Sequence, residues 1–112
     1  MAVLASFMLS SLACGASSAP EIPLGPNGES DTELVLGRKV WIRHCSSCHG
    51  SSGQGGRGKK LNSGKIFELY PANNVLLEVI YKGKGQSMPA FEASLSSMEI
   101  EAVARYIREV LN

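Results

Sequence analysis

The chain has 112 residues, 44% of them hydrophobic, a net charge of +1 at neutral pH and three cysteines. That length holds one domain, and the near-zero charge supplies no whole-molecule field for nucleic acid. Two of the three cysteines share one five-residue motif, which argues against a disulfide framework, so the staple that a domain this small needs is expected to be a cofactor.

Residues Ala2 to Ala13 are apolar or small and carry no charge. The run is short for a membrane-spanning helix and reads as the apolar part of an export signal rather than a buried helix, since nothing polar recurs in it at helical spacing. Ser17-Ser18-Ala19 supplies small residues for a cut, which assigns 1–19 to the signal and starts the processed chain at Pro20. No Lys or Arg precedes the apolar run, which points to a true start upstream of Met1. Leu12-Ala13-Cys14-Gly15 offers another reading, because it partly resembles the lipobox of bacterial lipoproteins, with Ser11 where an aliphatic residue is usual. Lipidation of Cys14 would hold the domain at a membrane surface. Residues 20–29, with Pro20, Pro23, Pro26, Gly25 and Gly28, read as a linker, and 30–112 as the folded domain.

Ser30 and Glu33 have capping-box spacing, which predicts a helix start there. Leu34, Gly37, Trp41 and Cys45 recur at three- or four-residue steps and mark the buried face of a helix ending near Cys45. Residues 50–64 contain six glycines and read as loop; no Gly-Lys-Ser/Thr ending and no preceding strand support a phosphate cradle. A short helical turn is expected around Phe67. Asn73 or Asn74 is expected to cap a helix running to Tyr81, with Leu76, Leu77 and Ile80 inward and Gly83 as its stop; Gly85 to Ala93 reads as loop. Ser96 and Glu99 form a second capping box. Behind them Ile100, Val103, Ala104, Ile107 and Val110 or Leu111 make one apolar stripe, with Glu101, Arg105, Arg108 and Glu109 on the wet side and Glu101 and Arg105 in the favourable i,i+4 order. No strand pattern is of comparable strength, so the expected fold class is all-α.

Cys45-Ser46-Ser47-Cys48-His49 has the spacing of a c-type haem attachment site. Two thiols three residues apart at a helix end can reach the two vinyl groups of one haem, and the next residue, His49, then lies under the ring to bind the iron. A thioredoxin-like pair would want a preceding strand, and a zinc site would want about four well-spread ligands. His44 reads as a surface residue. For the sixth ligand Met88 stands out: it sits in Gly83-Lys84-Gly85-Gln86-Ser87-Met88-Pro89-Ala90-Phe91, where glycines let the loop fold over a ring and Pro89 fixes the backbone after it. Met98 lies in the first turn of the last helix and reads equally well as packing. A thioether ligand raises the reduction potential and fills the sixth position, which suits a carrier rather than a catalyst.

At these residues the chain resembles the class I cytochromes c, most closely the small single-haem types of bacteria and photosynthetic membranes, over about Asp31 to Leu111. Gly37 and Trp41 match the family's Gly and aromatic on the first helix, and Val103 and Tyr106 its aliphatic and aromatic on the last. Tyr-Lys-Gly-Lys-Gly before Met88 and Pro-Ala-Phe after it are also similar. The resemblance implies a cytochrome c fold with crossing terminal helices, a middle helix and loops around one covalent haem c. One departure is the absence of a Pro between His49 and Pro71. Many members have one there, with a carbonyl that accepts the bond from the ligand His; another acceptor is needed here. Arg57 and Lys59 are candidates for the haem propionates.

The expected function is single-electron transfer, without enzymatic activity, by a monomer with His49 and Met88 on the iron. A quinol-oxidising complex is the expected donor and an oxidase or photosystem the acceptor, in the periplasm or thylakoid lumen. The alternatives are a peroxidase or sensor with an opened sixth site, and a haem subunit docked permanently on a dehydrogenase.

Overall fold

The computed structural model describes residues 18–112, so Cys14 and the apolar run lie outside the described residues. Among the described residues five helices follow in order: α1 (Thr32–Val40), α2 (Ser46–His49), α3 (Ile66–Leu69), α4 (Asn73–Lys82) and α5 (Ser97–Glu109). A π-helical turn, Trp41–Cys45, joins α1 to α2, and a 3-10 turn, Phe91–Ala93, precedes α5. The only β feature among the described residues is an isolated bridge between Lys84 and Met88. No described helix is long and apolar enough to cross a membrane.

The start of α1 differs from the capping box expected at Ser30. Asp31 is the cap, its carboxylate accepting the backbone N–H of Glu33 and of Leu34, each at 3.0 Å. Asp and Ser cap about equally well, but Asp31 also meets a cation. Arg105 of α5 donates to Asp31 at 2.6 and 3.0 Å and to Glu33 at 3.0 Å. Glu33 is therefore spent on this pair. The expected Glu101–Arg105 pair gives way too, because Arg105 turns to α1 and to Glu109. The second capping box forms as expected: Ser96 and Glu99 each bind the other's backbone N–H, and these bonds hold the Glu99 carboxyl below its usual range. α4 begins one residue early, with Ala72 as its cap and no side-chain cap bond, where Asn73 or Asn74 was expected.

The helical path that α1 begins does not stop near Cys45. The chain widens into the π turn, with the Ser46 N–H reaching the Trp41 carbonyl, and continues helical to His49. Such widened turns gather at functional sites, and this one precedes the cysteine motif.

α1 and α5 pack closely, and Gly37 lies at their contact. A Cβ there would sit 2.2 Å from the Ala102 carbonyl oxygen and 2.9 Å from the Tyr106 Cβ, so no side chain fits. The apolar stripe of α5 is buried at Ile100, Val103, Ala104 and Ile107. Arg108, expected on the wet side, is half-buried: it donates to the Tyr70 carbonyl and lies over the Phe67 ring, tying α5 to α3. The linker expected at 20–29 begins on the domain itself, since Ala19 is buried in the core and Ile22 packs against it.

The Arg105 guanidinium, with help from the Leu34 and Glu33 amides, holds the Asp31 carboxyl at about 2. A carboxylate with a depressed folded pKa stabilises above its ordinary range near 4 and loses that contribution as pH falls through its folded value. Asp31→Asn keeps a capping oxygen but not the charge. The stability gap between wild type and Asp31→Asn should be constant at neutral pH, shrink below about pH 4 and level off only below about pH 2, as read by denaturant titration of the holoprotein at each pH.

Candidate haem site

Cys45, Cys48 and His49 come together because the π turn and α2 carry them on one continuous helical path. Both thiols are free and half-buried. Burial, with a smaller push from Cys48, raises the Cys45 thiol to about 12. The helix ends at His49, and the glycine-rich loop satisfies its last carbonyls: Gly58 N–H donates to Cys48 at 2.8 Å and Gly55 N–H to His49 at 2.7 Å. The loop is fastened further by Leu61 N–H on the Gly53 carbonyl. At its far end Asn112 donates to the Leu61 and Ile107 carbonyls and accepts from Gly64.

This folding brings the Lys59 carbonyl to 2.7 Å from His49 Nδ1. A carbonyl can only accept, so Nδ1 carries the proton and Nε2 keeps its lone pair for a metal. The acceptor that sequence could not assign is therefore Lys59. The side of the ring near Cε1 and Nδ1 is closed by Gly58, where a Cβ would sit 2.8 Å from both atoms. Trp41 lies 6.2 Å from the His49 ring and donates Nε1–H to the Ser51 carbonyl.

These residues open onto a cavity of ≈ 770 Å³. Its floor holds Cys45, Cys48 and His49. Its walls come from α4, with Leu76, Val79 and Ile80, and from Ile66, Phe91 and Ile107. Met88 and Pro89 also line it, as do Arg57, Lys59 and Lys84 from exposed positions. Met98 is 71% exposed and is not part of the cavity. His44 is exposed, but its ring stands edge-on to Phe91 at 6.2 Å and it borders the cavity.

The Met88 loop is held by backbone. Lys84 and Met88 exchange N–H and carbonyl bonds at 3.1 and 3.3 Å. Gly83, at φ +74°, stops α4, and a Cβ there would meet the Met88 carbonyl oxygen at 2.6 Å, so both the turn and the close approach require glycine.

A large cavity with mostly apolar walls, two free thiols and an imidazole with a free Nε2 fits a haem bonded through Cys45 and Cys48. Haem supplies one-electron exchange at its iron. Cys45 and Cys48 would supply the bonding thiols, His49 the oriented imidazole, and Leu76, Val79, Ile80, Phe91 and Ile107 the apolar walls. In the holoprotein, Gly58→Ala should push the imidazole away from the Lys59 carbonyl. The expected result is a broadened or shifted Soret band and a melting temperature lowered by several degrees, corresponding to about 1–3 kcal/mol of overpacking; an unchanged spectrum and melt would show that the ring has room to spare.

Residues 33–107 match the family described as cytochrome C oxidase, cbb3-type, subunit III. The cbb3-type cytochrome c oxidase subunit FixP of Bradyrhizobium diazoefficiens is 32% identical over 70% of this chain, which spans only 28% of FixP. The chloroplastic cytochrome c6 of Chlamydomonas reinhardtii is 32% identical over 96% of this chain, which spans 66% of it. Among solved structures, cytochrome c6C from Synechococcus sp. PCC 7002 superposes with a TM-score of 0.54 at 32% identity, covering 64% of this chain and 89% of that one. The cofactor of this family is covalent haem c, and the fold is the all-α cytochrome c fold. With residues 33–107 inside the family match and that fold closed over the Cys45 to His49 turn, the chain belongs to the class I c-type cytochromes.

Proposed function

We propose that this protein is a single-electron carrier whose haem is bonded through Cys45 and Cys48 and whose iron is held by His49 and Met88. The observation that carries the reading is that His49 and Met88 line one cavity, while Met98 stands in solvent. A filled sixth position leaves no site for oxygen or peroxide, so the protein transfers electrons without catalysing a reaction. Met88→Ala should abolish the weak far-red charge-transfer band of a Met–iron bond and lower the potential, whereas Met98→Ala should do neither. Loss of the band in Met98→Ala, or its survival in Met88→Ala, would refute the assignment.

Its partners on this reading are redox proteins: a quinol-oxidising complex as donor and an oxidase or photosystem as acceptor, outside the cytoplasm. Arg57, Lys59 and Lys84 make a positive rim at the cavity, which suits fast, weak docking to an acidic surface. Electron-transfer rates with such a partner should fall as salt rises, since screening shortens the reach of charges to ~8 Å at physiological ionic strength. Lys59→Gln with Lys84→Gln should flatten that dependence, and Lys82→Gln, off the cavity, should flatten it less; rates indifferent to salt would remove the rim from docking.

The family description and FixP's name both refer to oxidase subunits, which favours a second reading, a haem subunit held on an oxidase. Co-purification with a larger subunit in mild detergent distinguishes it from a free shuttle. Export under either reading requires processing of the N-terminal segment. Because Ala19 is buried and its carbonyl accepts from Arg38 at 2.8 Å, a cut before Cys14, with lipidation, suits the fold better than one after Ala19. The intact mass of the mature protein should then include Ala19 and an acylated Cys14; a chain starting at Pro20 would exclude the tether.

A further inference from the structure

Two buried rings, Tyr106 and Trp41, connect the N-terminal segment to the His49 imidazole. Pro20 offers its carbonyl to two donors, Arg38 Nε at 3.0 Å and the Tyr106 hydroxyl at 2.7 Å, which uses both of its lone pairs. Arg38 also binds the Ala19 carbonyl and the Glu21 carboxylate, each at 2.8 Å. With Ala19 buried and Ile22 against the core, residues 19–22 form a strap fixed at four points. Tyr106 has no exposed surface, and burial raises its phenol above the usual range, so its hydroxyl stays protonated and must donate. Its ring lies 6.2 Å from Trp41 at 44°, and Trp41 lies 6.2 Å from His49 at 32°. Trp41 is itself fully buried and pinned through Ser51.

We infer that the strap Ala19–Ile22 is a positioning element for His49, acting through the Tyr106 hydroxyl and the Tyr106–Trp41–His49 stack. Packed interiors transmit small displacements rather than absorbing them, and the groups behind a metal-ligating His set its ring orientation. His49 is fixed in its plane by the Lys59 carbonyl and Gly58. The strap acts on the Trp41 side: without the Pro20 carbonyl, the Tyr106 hydroxyl would be left unpaired in the core and would move toward water, and Trp41 would follow. The bond that couples the strap to the stack, from Tyr106 to the Pro20 carbonyl, spans 86 residues of sequence. The inference rests on His49 being the iron ligand.

The test uses ferric holoprotein and the hyperfine-shifted proton resonances of the His49 ring and haem methyls. Tyr106→Phe keeps the ring and removes the donor; a second variant lacks residues 19–22. Both should move the His49 resonances by more than a linewidth in the same direction, and the combination should move them little beyond the deletion alone. Resonances that stay within a linewidth in Tyr106→Phe, even with a lowered melting temperature, would overturn the inference and leave the strap a purely stabilising contact. Should the deletion prevent maturation, Tyr106→Phe decides. A wild-type spectrum with no hyperfine-shifted His49 ring would refute the ligand assignment itself, which separates that failure from failure of the strap.

Discussion

α1 and α5 meet where Gly37 faces the Ala102 carbonyl, with no space between them for a methyl group. That contact sets the distance at which Trp41 and Tyr106 can stack, both without exposed surface. It also fixes how far the π turn beyond Val40 stands from α5, and hence where Cys45, Cys48 and His49 face the cavity. The Arg105 pairs with Asp31 and Glu33 bind the same two helices from their outer edge. They are partly exposed, so their energetic share is modest; the dense contact at Gly37 carries the geometry.

The second organising fact is the cavity of ≈ 770 Å³. Leu76 and Ile80 of α4, Ile66 of α3 and Ile107 of α5 all line it, and such apolar walls gain contact atoms from a group that fills the space between them. In a domain this short there is little other core to compensate. A haem held there would be core as well as cofactor: its apolar faces would pack against α3, α4 and α5, and thioethers at Cys45 and Cys48 would keep that piece of the core from leaving.

The sequence was legible wherever one side chain or a simple period carries the structure. Cys45, Cys48 and His49 are a motif, Ser96 and Glu99 a capping box, and Ile100, Val103, Ala104 and Ile107 a stripe, so the all-α class and the cofactor followed. Arg105 was misread because a local i,i+4 partner, Glu101, is visible in sequence, whereas Asp31, more than seventy positions away, is not. Arg108 was misread for a similar reason: its partner is the Tyr70 carbonyl, and a carbonyl has no letter in the sequence. The start of α4 at Asn73 shows a milder version, in which a residue that caps well lies just inside the helix and the chain begins without a side-chain cap.

The acceptor for His49 was the hardest part to read, and the reason is general. Where many relatives use the carbonyl near a proline, this chain uses the carbonyl of Lys59, presented by a loop without proline. The loop can do so because its backbone returns to the helix end it came from: Gly55 and Gly58 donate to the carbonyls of His49 and Cys48, and Asn112 holds the far side through Leu61 and Gly64. The same two residues that hold cofactor and metal in the proposed site thus anchor, through their main chain, the loop that orients the imidazole. Each step uses a backbone group, which any residue would offer. Only the glycines, needed where Gly58 lies against the ring, leave a trace in the sequence. Here the glycine-rich stretch after the Cys45–His49 motif is not merely a chain reversal; it is room for main chain to approach and orient the imidazole.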